Sequence, residues 1–193
     1  MSVERIALKL IGVGPVLMHN SRLADPLDAL TRKLAAITSK NVKTVVDHER
    51  IAELEWHGGL WLADGRPCLP PHCIKAVLVG GAKKRRKGET ARAGFRADGP
   101  AMLEYDGPTT VADLWADQRF RHREIVRVWG SLTVRTRPCF NNWSARVTAT
   151  FLPSMLDRSE VIEFFRIAGP HGLGDHRPEY GRFLVEVEEA PLD

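Results

Sequence analysis

The sequence predicts an α+β fold, on three observations. First, residues 4–11 (ERIALKLI) alternate, with Ile6, Leu8 and Leu10 on one side and Arg5, Ala7 and Lys9 on the other, the pattern of a half-buried strand. Second, the same two-residue period returns in 125–135, 143–151 and 182–188. Third, helical segments over PPHCIKAVLVGGAKK (70–84) and DRSEVIEFFRIAG (157–169) separate those strands. The core order is therefore strand, helix, strand, strand, helix, strand. That is the ferredoxin-like (RRM-like) βαββαβ arrangement, with both helices on one face of an antiparallel sheet.

The remaining elements follow in chain order. Leu30, Leu34 and Ile37 stand at helical spacing within 28–40, which Asp28 is placed to cap, and a second helix over 47–56 begins at a plausible cap, Asp47. GGLWLADGRPCL reads as a short hairpin turning at Asp64-Gly65. Together these form an insertion over 20–66, after the first strand. The helix 70–84 carries proline in its first turn and Gly80-Gly81 near its end. The stretch 83–100 is basic and aperiodic, and reads as an exposed loop. TTVADLWAD (109–117) is a short helix. In the strand 125–135, Val126, Val128, Leu132 and Val134 share one face and Arg127, Trp129, Thr133 and Arg135 the other. In 143–151, Val147, Ala149 and Phe151 oppose Arg146, Thr148 and Thr150. Asp157, with Glu160 three residues on, signals the start of the helix 157–169. In the last strand Phe183, Val185 and Val187 alternate with Arg182, Leu184 and Glu186.

At 193 residues the chain fits one domain, 1–193, with a substantial core. No stretch approaches the roughly 20 apolar residues of a membrane span. Charges interrupt the apolar N-terminus, which argues against a signal peptide. Three cysteines without a paired framework point to a reducing, cytoplasmic setting. Cys68, His72 and Cys73 in CLPPHC have no second cluster to complete four zinc ligands, so the expectation is packed thiols, no metal and no cofactor.

Charge points to a polyanionic partner. The formal net charge is +4, but Lys83, Lys84, Arg85 and Arg86 cluster in KKRRKGETARAGFR (83–96), and arginines recur through 119–138. On the expected topology, Arg5, Lys9, Arg127, Trp129, Arg135, Arg146, Thr148 and Arg182 face away from the helices. Such a face resembles the platforms that hold single strands. GLGDHRPEYGRF (172–183) adds Gly172, Gly174 and Gly181 beside Arg177 and Arg182. Glycines admit positive φ and close backbone approach, and successive free amides form an anion-binding concavity.

These pieces resemble the CRISPR-associated RAMP superfamily, specifically its guide-RNA-coating backbone subunits. The glycine-rich loop precedes the final strand. Gly65, Pro67, Leu69 and Pro70 lead into a helix carrying Lys75, and GPVLMHN (14–20), with His19 and Asn20, ends the first strand. The resemblance implies binding of single-stranded RNA, with single-stranded DNA left open, and assembly with copies of itself and other RAMP-type subunits. It implies no membrane partner. It also raises endoribonuclease chemistry: Asp25 and Asp28 lie where some relatives place a catalytic aspartate, and His19 and His176 could form an acid–base pair. A turn and a helix cap are the expected account of the two aspartates, and no catalytic residue is assigned. A third reading is an interaction protein or viral inhibitor that imitates such a subunit without holding RNA.

Overall fold

The computed structural model describes residues 2–128 and 130–188. In chain order its elements are β1 (Glu4–Gly12), β2 (Val16–Leu17), α1 (Ala29–Thr38), α2 (Val45–Gly59), β3 (Leu62–Ala63), β4 (Arg66–Leu69) and α3 (Pro71–Lys83). They continue with α4 (Gly88–Gly94), β5 (Phe95–Ala97), β6 (Ala101–Tyr105), α5 (Val111–Ala116), β7 (Arg121–Val128), β8 (Ser131–Phe140), β9 (Trp143–Phe151), α6 (Arg158–Ala168) and β10 (Phe183–Glu188). The protein is α+β with antiparallel sheets. Among the described residues no helix is long and apolar enough to cross a membrane.

Caps explain most helix starts. Asp28 accepts from the Leu30 and Thr31 amides, as expected for the first residue before α1. Asp157 and Glu160 make a capping box on α6. At α2 the cap is Thr44, and Asp47 sits three residues in, completing the box that its sequence spacing disguised. Asp64 and Gly65 take φ of 50° and 74°, the two positive values that let β3 turn tightly into β4.

The chain divides into two compact units, 1–16 with 62–106 and 141–193, and 17–61 with 107–140. Most of the expected insertion 20–66 belongs to the second unit.

The first unit is built on a sheet in the order β10-β1-β9-β6-β4-β3, with β5 also paired to β9. β1 lies antiparallel between β9 and β10, with Leu8 opposite Val147 on one side and Val187 on the other. Ile6, Leu8 and Leu10 are buried, and through Ala149, Val147 and Ala145 they share a face with Phe151 and Phe95. Phe95 meets Phe165 of α6 edge-on at 5.8 Å, so this is the face the helices cover. α3 buries Ile74, Val77 and Leu78, and α6 buries Val161, Phe164 and Phe165.

Between α3 and β9 in the chain, the sheet of this unit takes up β6. The strand expected over 125–135 is two strands, β7 and β8, in the second unit. They form a hairpin that reverses at Gly130, whose φ is 85°. Pairing of Ile125 with Val134 puts Leu132 and Val134 on the face of Ile125 and Arg127. They therefore do not share a face with Val126. The stretch 83–100 is also ordered: it ends α3 and then forms α4 and β5.

In the second unit Trp56 of α2 is fully buried, and its Nε1 donates to the Phe120 carbonyl at 2.7 Å. Phe120 and Phe140 rings lie 5.4 Å apart. Glu55, 2% exposed, accepts from Arg135 Nη1 at 2.6 Å and from the Thr136 amide at 2.9 Å, fixing α2 to β8.

Two adjacent glycines of α3 separate close packing from helix propensity. A Cβ on Gly81 would stand 1.9 Å from the Phe164 carbonyl oxygen, whereas one on Gly80 meets nothing within 4 Å. We expect Gly81→Ala to destabilise the protein by about 2 kcal/mol through overpacking. Gly80→Ala should instead stabilise it by about 0.5–1 kcal/mol by restricting the unfolded backbone. Urea unfolding midpoints compared at unchanged slope check both signs.

Candidate nucleic-acid interface

The glycine-rich loop joins α6 to β10 and is tied to the end of β1. Gly181 N donates to the Pro15 carbonyl at 2.6 Å, Val13 N to the Arg182 carbonyl at 2.9 Å, and Leu173 N to the Gly181 carbonyl at 3.0 Å. Gly172, Gly174 and Gly181 have φ of 73°, 83° and 73°. A Cβ on Gly181 would lie 1.8 Å from the Leu173 carbonyl oxygen, and one on Gly172 2.4 Å from that of Tyr180. Those two glycines therefore serve closure of the loop on itself, a constraint the sequence reading attributed to the ligand. Gly174 lines an open depression of about 470 Å³ with His171, Asp175, His176, Arg177 and Pro178. The Gly174 and Arg177 amides have no acceptor among the described residues. Asp175 places a carboxylate there too, 3.7 Å from His176 Nε2, and His176 meets Tyr180 edge-on.

This loop and the start of α3 converge. Arg177 is near enough to Cys73 for its charge to favour the thiolate, although burial outweighs it and pushes the thiol up to about 11. Lys75 lies one turn along α3 and is half-buried, while Arg177 and Arg182 are exposed. Lys83, Lys84, Arg85 and Arg86 are exposed at the far end of α3. Arg85 pairs with Glu163 at 2.7 Å, and the neighbouring Lys87 with Glu160. Lys83, Lys84 and Arg86 have no carboxylate partner among the described residues.

The open face of the first unit's sheet is not the cationic platform expected. Arg127 and Arg135 sit on the β7–β8 hairpin of the second unit, and Trp129 lies outside the described residues. Two of the cations that do share the face are balanced. Lys9 and Arg146 stand directly opposite each other, and each is drawn to a carboxylate instead: Lys9 to Glu104 at 2.8 Å, Arg146 to Glu188 at 2.6 Å. The hydrogen bond from Lys9 holds Glu104 below the usual carboxylate range, and Ser144 adds a second. The acids that do this, Glu104 and Glu188, were absent from the expected interface. Their signal was strand parity, because both alternate onto the face of Arg146.

In the second unit, His19 is exposed. Asn20 caps a 3-10 turn over Ser21–Ala24 and donates to the Leu60 carbonyl at 2.9 Å. Asp25 accepts from the Leu27 amide at 2.9 Å. Asp28, besides capping α1, pairs with Arg22 at 2.6 Å, which holds its carboxyl below the ordinary value. Arg127 Nη1 donates to the Gly130 carbonyl, and Arg135 is held by Glu55.

Among the described residues no group of three or more His, Cys, Asp or Glu side chains is arranged to hold a metal. Set beside known proteins, this α+β chain matches no family model, and no curated protein is similar to it.

Burial raises all three thiols, Cys139 also to about 11. They stay protonated at neutral pH, and the thiol is a poor nucleophile. We expect iodoacetamide to label the native protein slowly at about pH 8 and all three cysteines rapidly in denaturant. Fast native labelling of Cys73 would contradict its environment.

Proposed function

We propose that this chain binds single-stranded RNA through its phosphates and lies along it beside copies of itself, in the manner of the RAMP-type subunits its motifs resemble. The reading takes the first unit as a ferredoxin-like core. It is supported by the succession β1, α3, β6, β9, α6, β10 and by the sheet order β10-β1-β9-β6. The observation that carries the proposal is the convergence of the glycine loop with the start of α3. Free Gly174 and Arg177 amides with exposed Arg177 and Arg182 offer donors and positive charge to an anion there, and Lys75 adds a cation in the first turns of α3. Lys83, Lys84 and Arg86 extend the positive surface of the same unit. The contacts address backbone rather than base edges, so the binding is weakly selective for sequence.

Affinity for random-sequence RNA should fall steeply with salt, and Lys75→Ala and Arg182→Ala should each lower the salt slope by about one unit. Bound mass in sedimentation should rise in steps with RNA length. Affinity indifferent to salt, or both variants binding as wild type, removes the proposal; a single stoichiometry at every length removes the assembly.

The two aspartates give a separate test of endonuclease chemistry. Asp28 is committed to its helix cap and Arg22, and Asp25 to a turn. We expect no cleavage of labelled RNA with magnesium or manganese, and unchanged RNA affinity in Asp25→Ala and Asp28→Ala. Cleavage that either substitution abolishes would assign the chain to the endoribonucleases.

A further inference from the structure

The second unit carries an apolar groove that the RNA reading does not use. It has a volume of about 670 Å³ and runs between α1, the start of α2 and the β7–β8 hairpin. Ile125, Leu132 and Val134 form its hairpin wall and are 66%, 67% and 42% exposed. Ile125 and Val134 are directly paired, and Leu132 is on the same face, so the three make one patch. Scattered exposed aliphatics are ordinary, but a contiguous set facing a groove marks an interaction surface. The opposite wall is partly uncovered: Leu34, half-buried, belongs to α1, none of whose ten residues is fully buried.

Charge selects the occupant. The groove is lined by Lys43, His48 and Arg135 and by no carboxylate. Arg135 is already paired with Glu55. Lys43 bonds only to the Lys40 carbonyl, while Lys40 itself takes Asp47. Arg127, on the face of Ile125, bonds only to the Gly130 carbonyl. Lys43 and Arg127 therefore present uncompensated charge beside an aliphatic floor. Single strands stack their bases mainly on Phe, Tyr and Trp, and no described lining residue is one of these. An amphipathic helix, by contrast, lays an i, i+3, i+4, i+7 stripe into such a groove.

We infer that this groove docks an acidic amphipathic helix of a protein partner, its aliphatic stripe on Ile125, Leu132 and Leu34 and its carboxylates toward Lys43 and Arg127. The inference goes beyond RNA binding and stands or falls apart from it.

The test uses the full chain and a fluorescent synthetic peptide of about 15 residues, leucine on the stripe and glutamate on the flanks. A twin with lysine for glutamate and a uridine oligonucleotide serve as competitors. The acidic peptide should bind, and Leu132→Glu or Ile125→Glu should weaken it at least about tenfold. Lys43→Glu, on an exposed side of the unit, should weaken it several-fold and reduce its salt dependence. Thermal melts of the three variants at wild-type temperature establish that the fold is intact. Equal binding of both peptides, or none, overturns the inference. So does displacement by the oligonucleotide, which would make the groove a nucleic-acid site. A dimer of the free chain that Leu132→Glu dissociates would make the occupant a second copy, and overturns it too.

Discussion

Strand β1 has both edges paired with segments from the last third of the chain, and the first unit depends on that constraint. β9 takes one edge over Glu4–Ile11 and β10 the other over Ala7–Gly12. No local partner can satisfy these backbone groups, so β1 is complete only when β9 and β10 have arrived. The position of the glycine-rich loop follows. β10 must be delivered antiparallel against the end of β1, and the chain arrives there from α6. Gly181 to Pro15 and Val13 to Arg182 extend the ladder past the strand ends, and a backbone held this closely cannot carry a Cβ at 172 or 181. The loop's shape is thus set by sheet closure, which leaves the Gly174 and Arg177 amides without an acceptor among the described residues.

The same pairing determines where positive charge can act. Bringing β1 between β9 and β10 sets Lys9 opposite Arg146, a repulsive juxtaposition on an exposed face. Glu104 from β6 and Glu188 from β10 relieve it. Exposed pairs of this kind contribute little to stability, about 0–1 kcal/mol each. Their effect here is to offset the charges of Lys9 and Arg146. Among the described residues, Lys83, Lys84 and Arg86 at a helix end and Arg177 and Arg182 in the glycine loop have no carboxylate partner. Loops and helix termini also present backbone donors that a saturated sheet cannot offer.

Much of this was legible in the sequence, for identifiable reasons. β1, β9 and β10 announce themselves because one face is buried and the other wet, which imposes strict alternation. α1 and α6 begin at the aspartates that cap them, and the Asp64-Gly65 turn follows from the need for two positive φ values. The strand 125–135 misled because alternation continued up to the turn, and a single glycine is a weak mark of reversal. β6 was missed because AMLEY is five residues long, too short for periodicity to speak. Its signal was the turn chemistry on either side, Gly99-Pro100 before and Asp106-Gly107-Pro108 after. Those two errors placed Arg127 and Arg135, two of the eight residues of the expected platform, on the wrong sheet. The glycine loop was legible as an unusual loop from its composition, but the pairing of β10 with β1 that shapes it was not.

The misplaced hairpin carries a physical lesson of its own. Glu55 is buried, and its carboxylate takes both Arg135 and the Thr136 amide, so hairpin and α2 are clamped by a charge-assisted contact where the strands leave the core. Beyond that clamp, toward Gly130, the apolar residues lose their cover. A hairpin held firmly at the base can keep Ile125, Leu132 and Val134 exposed without fraying, because the clamp and the ladder supply the order that burial supplies elsewhere. Removing the carboxylate would leave an arginine and a buried amide without their acceptor, a penalty on the order of 1–3 kcal/mol. The exposed patch is therefore a feature the unit is built to tolerate, and its groove is available to a partner without any rearrangement of the core.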